Sequence, residues 1–197
     1  TATCDRSSLA TVFASAYGET AALADLLDQL ALGEELSPIR FSASVHNAAG
    51  GQVSIACENQ AFTTSIAAGC DTVAMALLEA QALLREGAAQ VAIAWGDVAP
   101  PVSLSPLPFG ALAAALLVDA QPASGDELAL LSDLLNDAML SDASALPAAV
   151  RANPCCGALL LVDAVLRQTS LRIGLSLHDT QGWGVDVLFP LPAAEAA

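Results

Sequence analysis

The segment from Asp71 to Glu86 places the tightest limit on what this chain can fold into. Val73, Ala74, Met75, Ala76, Leu77, Leu78, Ala80, Ala82, Leu83 and Leu84 put apolar side chains on nearly every face of a helix that Gly87 closes. Only Asp71, Thr72, Glu79, Gln81, Arg85 and Glu86 are polar in that stretch. Such a helix has no side suited to water, so it is expected to be buried on most sides by the rest of the chain.

The surrounding sequence supplies elements to bury it. Leu9 to Ala16 reads as a buried strand, and Tyr17-Gly18-Glu19 ends it. Thr20 to Leu32 has Leu and Ala at helical spacing before the stop at Gly33. Ser37-Pro38 marks a turn, and Ser44 to Cys57 is apolar or small, with Ala48-Ala49-Gly50-Gly51 suited to close backbone packing. Ala61 to Ala67 carries β-type side chains. Gln90 to Asp97 and Gly110 to Asp119 read as further strands, and Glu127 to Met139 as an acidic amphipathic helix. Ala145 to Ala152 is expected to form a short helix and Gly157 to Arg167 another, with strands at Leu171 to His178 and Val185 to Phe189. Alternation of this kind indicates an α/β protein, and nothing divides residues 1–197 into two domains.

Charge narrows the partners. The chain has 21 acidic residues against six arginines, no lysine, and a formal charge of −15. Nucleic acid and anionic membrane surfaces are therefore excluded as partners, because both need clustered basic residues. An acidic carrier protein would be repelled by most of such a surface. The uncharged run Val98 to Leu117 contains Pro100, Pro101, Pro106 and Pro108, so it reads as a Pro-rich loop entering a strand and not as a membrane span.

Cys4, Cys57, Cys70, Cys155 and Cys156 are odd in number and without framework spacing. With no secretory signal at the start, they point to a reducing, cytoplasmic setting. No Cys-x-x-Cys pair is present and there are only two histidines, so neither a metal nor a cofactor is expected.

Chemistry concentrates at Thr64-Ser65-Ile66-Ala67-Ala68-Gly69-Cys70. A strand, a tight turn and a thiol at the first turn of a buried helix favour a reactive cysteine, because free N–H groups and the helix dipole stabilise thiolate. Most cysteines in such turns are nonetheless small buried hydrophobes. Asp71, directly after Cys70, opposes thiolate formation or else caps the helix.

Ser37-Pro38, Ser44-Val45-His46-Asn47-Ala48-Ala49-Gly50 and the run Thr64 to Ala80 resemble the N-terminal half of β-ketoacyl synthases. Within that family the chain resembles the short, chain-length-factor-like subunits of aryl-polyene and related polyketide clusters. Ala111 to Asp119 resembles the family's strand after its Gly-rich turn. The resemblance implies a thiolase-like half, with a mixed five-stranded sheet, a buried central helix and covering helices, its first strand missing or trimmed. It puts Cys70 at the nucleophile position, and Phe62, Thr63, Thr64, Ser65 and Ile66 on the strand that pairs across the dimer axis. Tyr17 and Met75 become candidates for lining an acyl pocket.

The chain departs from the synthase pattern where catalysis is concerned. Decarboxylative condensation uses two histidines and commonly a lysine to hold the thioester oxyanion and the enolate. Here there is no lysine, and His46 and His178 match no catalytic position of the family. The resemblance thus implies a subunit that is not active alone. It would pair with a full-length β-ketoacyl synthase and meet the acyl carrier protein mainly through that partner. The alternatives are a stand-alone acyltransferase or thioesterase using Cys70 with His178 as base, and a fragment of a longer synthase.

Overall fold

The computed structural model describes residues 7–105, 108–120, 128–138, 142–176 and 182–189. Strand β1 (Ala10–Ala14) is followed by helices α1 (Thr20–Ala31), α2 (Pro38–Ala43) and α3 (Ala48–Ala56). Next come β2 (Thr63–Ile66), α4 (Thr72–Arg85), β3 (Gln90–Asp97) and β4 (Leu112–Asp119). The remaining elements are β5 (Leu130–Leu131), β6 (Leu135–Ala138), α5 (Cys156–Leu166), β7 (Leu171–Gly174) and β8 (Gly182–Leu188).

The α/β class holds, but the strands are shared out differently from expectation. In place of one five-stranded sheet, the described residues form two sheets of four strands. The first runs β2-β1-β3-β4, with β1 parallel to β2 and β3, and β4 antiparallel to β3. In the second, β8 is central. Val187 pairs with Leu131 on one edge and Leu171 on the other, so β5 and β6 share the edge opposite β7.

Helices α4 and α5 belong to the core between these sheets. Thr72, Val73, Ala74, Ala76, Leu77 and Ala80 of α4 are buried. The helix packs on β1 and β3, and the indole N–H of Trp95 donates to the carbonyl of Val73 at 3.3 Å. Toward the second sheet, the Gln81 amide donates to the Ser132 carbonyl at 3.1 Å and Arg85 pairs with Asp133 at 2.7 Å. Helix α5 contacts β4 on one side and β7 and β8 on the other. One apolar cluster joins Val12, Ile93, Trp95, Val73, Leu161, Leu175 and Val187, and so runs through both sheets. The largely apolar sequence of α4 is thereby accounted for, although the helix opens to solvent midway along, at Leu78. Helix α3 lies on the opposite face of the first sheet. A Cβ at Gly50 would sit 3.1 Å from the Phe13 ring and 3.2 Å from a Thr63 methyl, and Phe13 alternates with inward-facing Val12.

The acidic helix expected over Glu127–Met139 is the largest error of the sequence reading. Glu127 and Met139 lie outside the described residues, and between them β5 and β6 form a broken strand along β8. Ser132 holds the break: its N–H donates to the Asp186 carbonyl at 3.0 Å and its hydroxyl accepts the Asp186 N–H at 2.9 Å. Paired leucines satisfy helical and extended spacing alike, and the vacant edge of β8 decides between them. Smaller differences have local causes. Ser37-Pro38 is more than a turn, since Pro38 opens α2 and the Ser37 hydroxyl accepts the Arg40 N–H at 3.4 Å. The helix expected over Ala145–Ala152 contracts to a 3₁₀ turn at Ala148–Val150. Strand β7 stops at Gly174, and His178 lies outside the described residues.

Gly157 sets how closely α5 approaches the second sheet. A Cβ there would collide with the carbonyl oxygen of Leu175 and lie 3.0 Å from its carbonyl and α carbons. Backbone cannot swing aside as a side chain can. Gly157→Ala is therefore expected to cost about 3 kcal/mol, read as a lower urea midpoint at unchanged slope. A loss below about 0.5 kcal/mol, within the ordinary range for harmless substitutions, would show that the helix has room to retreat.

Candidate functional site

The strand-turn-helix unit expected around Cys70 is present. Strand β2 leads into a 3₁₀ turn at Gly69–Asp71, and α4 starts at Thr72. Gly69 has φ +55°, in the left-handed region that glycine enters without strain. The turn is closed by Thr72, whose hydroxyl donates to the Gly69 carbonyl at 2.8 Å and accepts the Ala68 N–H at 3.1 Å. Asp71 occupies the N-cap position of α4 without a side-chain cap hydrogen bond. The side-chain capping expected of Asp71 is therefore not made, and the Thr72 hydroxyl ties the turn ahead of the helix and not its first N–H groups. Cys70 is half-buried on this turn.

The five residues Phe62 to Ile66 come together at one edge of the first sheet. Phe62 is exposed, while Thr63, Thr64, Ser65 and Ile66 are half-buried. The Thr11 N–H donates to the Phe62 carbonyl at 3.0 Å and the Ser15 N–H to the Ile66 carbonyl at 3.1 Å. Parallel strands use alternate residues, so the backbone of Thr64 also faces β1 while that of Thr63 and Ser65 faces outward. No described strand pairs with this outer edge.

Beside the edge lies a cleft of about 480 Å³ lined by His46, Asn47, Gly51, Ser54, Thr63, Thr64 and Ser65. Its wall is a chain of hydroxyls: Ser54 to Thr63 at 3.3 Å and Thr63 to Thr11 at 2.8 Å. Ser65 Oγ is buried and has no hydrogen-bond partner among the described residues. His46 is fixed by a 2.8 Å bond from Nε2 to the Ser15 carbonyl. A carbonyl only accepts, so Nε2 carries the proton. The ring packs on Gly18, where an added Cβ would come within 2.6 Å of it. His46 thus braces the turn after β1.

Tyr17 and Met75 do not line this cleft. The Tyr17 ring lies 5.8 Å from that of Phe109, and Met75 packs against the main core. A second, apolar cleft of about 250 Å³ between α3 and the first sheet also excludes both, as well as Cys70.

The most strongly determined polar centre is one that sequence reasoning missed. Asp97 ends β3 on its inward row, after Val91, Ile93 and Trp95. Its carboxylate accepts the Ser15 hydroxyl at 2.6 Å, the Ala16 N–H at 2.8 Å, the Tyr17 N–H at 3.0 Å and the Cys155 thiol at 3.2 Å. The amide of buried Asn153 donates to the Asp97 and Gly110 carbonyls at 3.1 and 3.0 Å, and its oxygen accepts the Cys155 N–H at 2.9 Å. Burial, and then the Asp97 charge beside it, push the Cys155 thiol far above its usual range, so it stays a neutral donor. Burial also raises Cys156. The signal was a lone carboxylate at the end of an otherwise apolar inward row, which burial demands be hydrogen-bonded.

Among the described residues no group of three or more His, Cys, Asp or Glu side chains is arranged to hold a metal ion. Likewise no described helix is long and apolar enough to cross a membrane.

Two packed sheets with helices buried between them, and a cysteine on the turn from an edge strand into the central helix, define a thiolase-like protein of ketosynthase type. The model of the β-ketoacyl synthase N-terminal domain matches residues 2–181, and the chain belongs to that family. Among solved structures, a chain from the complex of the ketosynthase ApeO with its chain length factor ApeC, from Xenorhabdus doucetiae, aligns with a TM-score of 0.68. Sequence identity is 22%, over 91% of this chain and 69% of that one, so the likeness is one of fold. No curated protein matches the sequence.

Proposed function

We propose that the chain is a chain-length-factor-like, non-catalytic partner of a β-ketoacyl synthase. It pairs with the synthase through the outer edge of β2 and helps shape the acyl tunnel during fatty-acid or polyketide elongation of the aryl-polyene type. Tyr17 and Met75 contribute to the tunnel wall once the partner is in place. The acyl carrier protein docks mainly on the synthase, because a chain of charge −15 repels an acidic carrier.

The observation that carries this reading is the company Cys70 keeps. It stands on the turn into α4, but His46 spends its donor on the Ser15 carbonyl and the sequence has no lysine. The condensation needs a base and oxyanion donors beside the thiol, and among the described residues His46 is committed to bracing the turn after β1. The fold likeness to one chain of a ketosynthase and chain length factor complex supports the pairing.

The test is co-expression with a candidate synthase, followed by reconstituted elongation. The expected result is a stable complex whose products change in length when this subunit is omitted. Cys70→Ala is expected to leave the elongation rate within about twofold, since uniform loss of transition-state stabilisation would show as a much larger drop. A fall of about a hundredfold, or acyl transfer by the isolated chain, would overturn the non-catalytic reading.

A further inference from the structure

Two features of the cleft beside β2 weaken the isolated chain, and both border the same open space. Asn47, Gly51 and Ser54 recur at i, i+4 and i+7, so one row of α3 looks across the cleft to Thr63, Thr64 and Ser65. The adjacent glycines of that helix differ. A Cβ at Gly50 would meet the Phe13 ring and a Thr63 methyl, whereas a Cβ at Gly51 would meet nothing within 4 Å. Packing within the chain requires a small residue at Gly50 but not at Gly51, where glycine in mid-helix only loosens the helix. Ser65 is the second feature. Its side chain falls on the α3 side of β2, as that of Thr63 does two residues earlier. Its Oγ is buried with no hydrogen-bond partner among the described residues, which destabilises the chain that carries it. One inserted group would account for both.

The position of the cleft says where that group comes from. The N–H and C=O of Thr63 and Ser65 point away from β1, toward an edge with no described strand on it. A strand added there sets the residue opposite Ser65 with its side chain on the same face, over the cleft. The lining selects its chemistry. Ser54, Thr63 and Ser65 supply hydroxyls and Asn47 an amide, while no Asp, Glu, Lys or Arg lines the space. A charged side chain would lose water there without gaining an opposite charge, and an apolar one would leave the Ser65 hydroxyl unsatisfied. An amide donates and accepts, so it matches these groups in either sense. A second copy of β2 would offer on this face its own Thr63 and Ser65, too short to fill about 480 Å³, and would bring a second charge of −15.

We propose that the cleft is a socket for one Asn or Gln side chain on the synthase strand that pairs with β2, with Ser65 as its hydrogen-bond partner and Gly51 keeping the space clear. The socket rests on the β2 pairing proposed above and names what that pairing recognises.

The experiment titrates the synthase against the parent chain and three variants, and measures the melting temperature of each chain alone. Gly51→Ala is expected to bind within about twofold of the parent, since a methyl leaves the cleft open. Gly51→Leu is expected to bind at least about tenfold more weakly yet melt no lower, because its side chain fills the socket and not the core. Ser65→Ala is expected to melt no lower and to bind about fivefold more weakly. Replacing the amide on the synthase strand by alanine should weaken the parent complex by the same factor and leave that of Ser65→Ala unchanged. If the parent pairs and Gly51→Leu or Ser65→Ala binds at full strength, the socket is overturned and the pairing stands. If the parent forms no complex, both fall. A tighter complex from Ser65→Ala would overturn the socket by making the occupant apolar, as would a pairing strand with neither Asn nor Gln opposite Ser65. A lower melting temperature of either variant would overturn it by showing that the chain itself fills the cleft. So would a dimer of the parent chain that Gly51→Leu abolishes, since the occupant would then be a second copy.

Discussion

Asp97→Ala is expected to destabilise the chain by about 3–4 kcal/mol, which for a protein of this size lowers the melting temperature by roughly 6–15 °C. The side chain is 4% exposed and accepts from four donors. Alanine would leave the Ala16 and Tyr17 N–H groups and the Ser15 and Cys155 side chains without the acceptor that now serves them all. Each buried donor left unsatisfied costs about 1–3 kcal/mol, offset in part by local relaxation and water entry. An asparagine in its place would keep one acceptor oxygen but turn an N–H toward donors, so Asp97→Asn is expected to lose about half as much. Thermal and urea denaturation of the two variants would check this. If Asp97→Ala melted within about 1 kcal/mol of the parent, the carboxylate would not be the keystone of the turn after β1.

Ser65→Pro is expected to abolish the complex with the partner synthase while leaving the chain folded. The N–H of Ser65 points away from β1, so proline there removes no bond within the first sheet. It does remove a donor from the outward edge and sets a ring against any incoming strand. Affinity should fall at least about a hundredfold, or roughly 2.8 kcal/mol, measured by titrating the two subunits. Thr64→Pro is the matched control. That N–H faces β1, and its loss should cost the isolated chain about 3 kcal/mol or more. A Ser65→Pro chain that still bound the synthase at full strength would remove the β2 edge from the interface.

The local architecture was largely legible in the sequence. Helix α4 was marked by the Leu and Ala residues on nearly every face of it, and β3 runs from Gln90 to Asp97 as expected. The turn between β2 and α4 was also legible, because Gly69 and the small residues beside it permit little else. What failed was the 128–138 region, where Leu130, Leu131, Leu134 and Leu135 fit a helical row as well as two short strands. Their state depends on β8, which follows some fifty residues later in the chain, and no local window contains that information.

The candidate site divides along the same line. Cys70 could be singled out because its chemistry is written in adjacent residues: a strand, a glycine, a thiol and a helix start. Asp97 could not, because its partners at Ser15 to Tyr17 and at Cys155 are about eighty residues upstream and 58 downstream. Cys155 and Cys156 looked no different from Cys70 in composition, yet burial makes Cys155 a structural donor to Asp97.

By itself the sequence determined the periodic elements, the buried central helix, the acidic charge and the lack of lysine, since each depends on residue type and near-neighbour spacing. Only the tertiary structure decided the split into two sheets, the strand fate of residues 130–138, the outward face of Thr63 and Ser65, and the keystone role of Asp97. Those depend on contacts between segments far apart in the chain, where the energy of satisfying a buried donor or a vacant strand edge outweighs local preference.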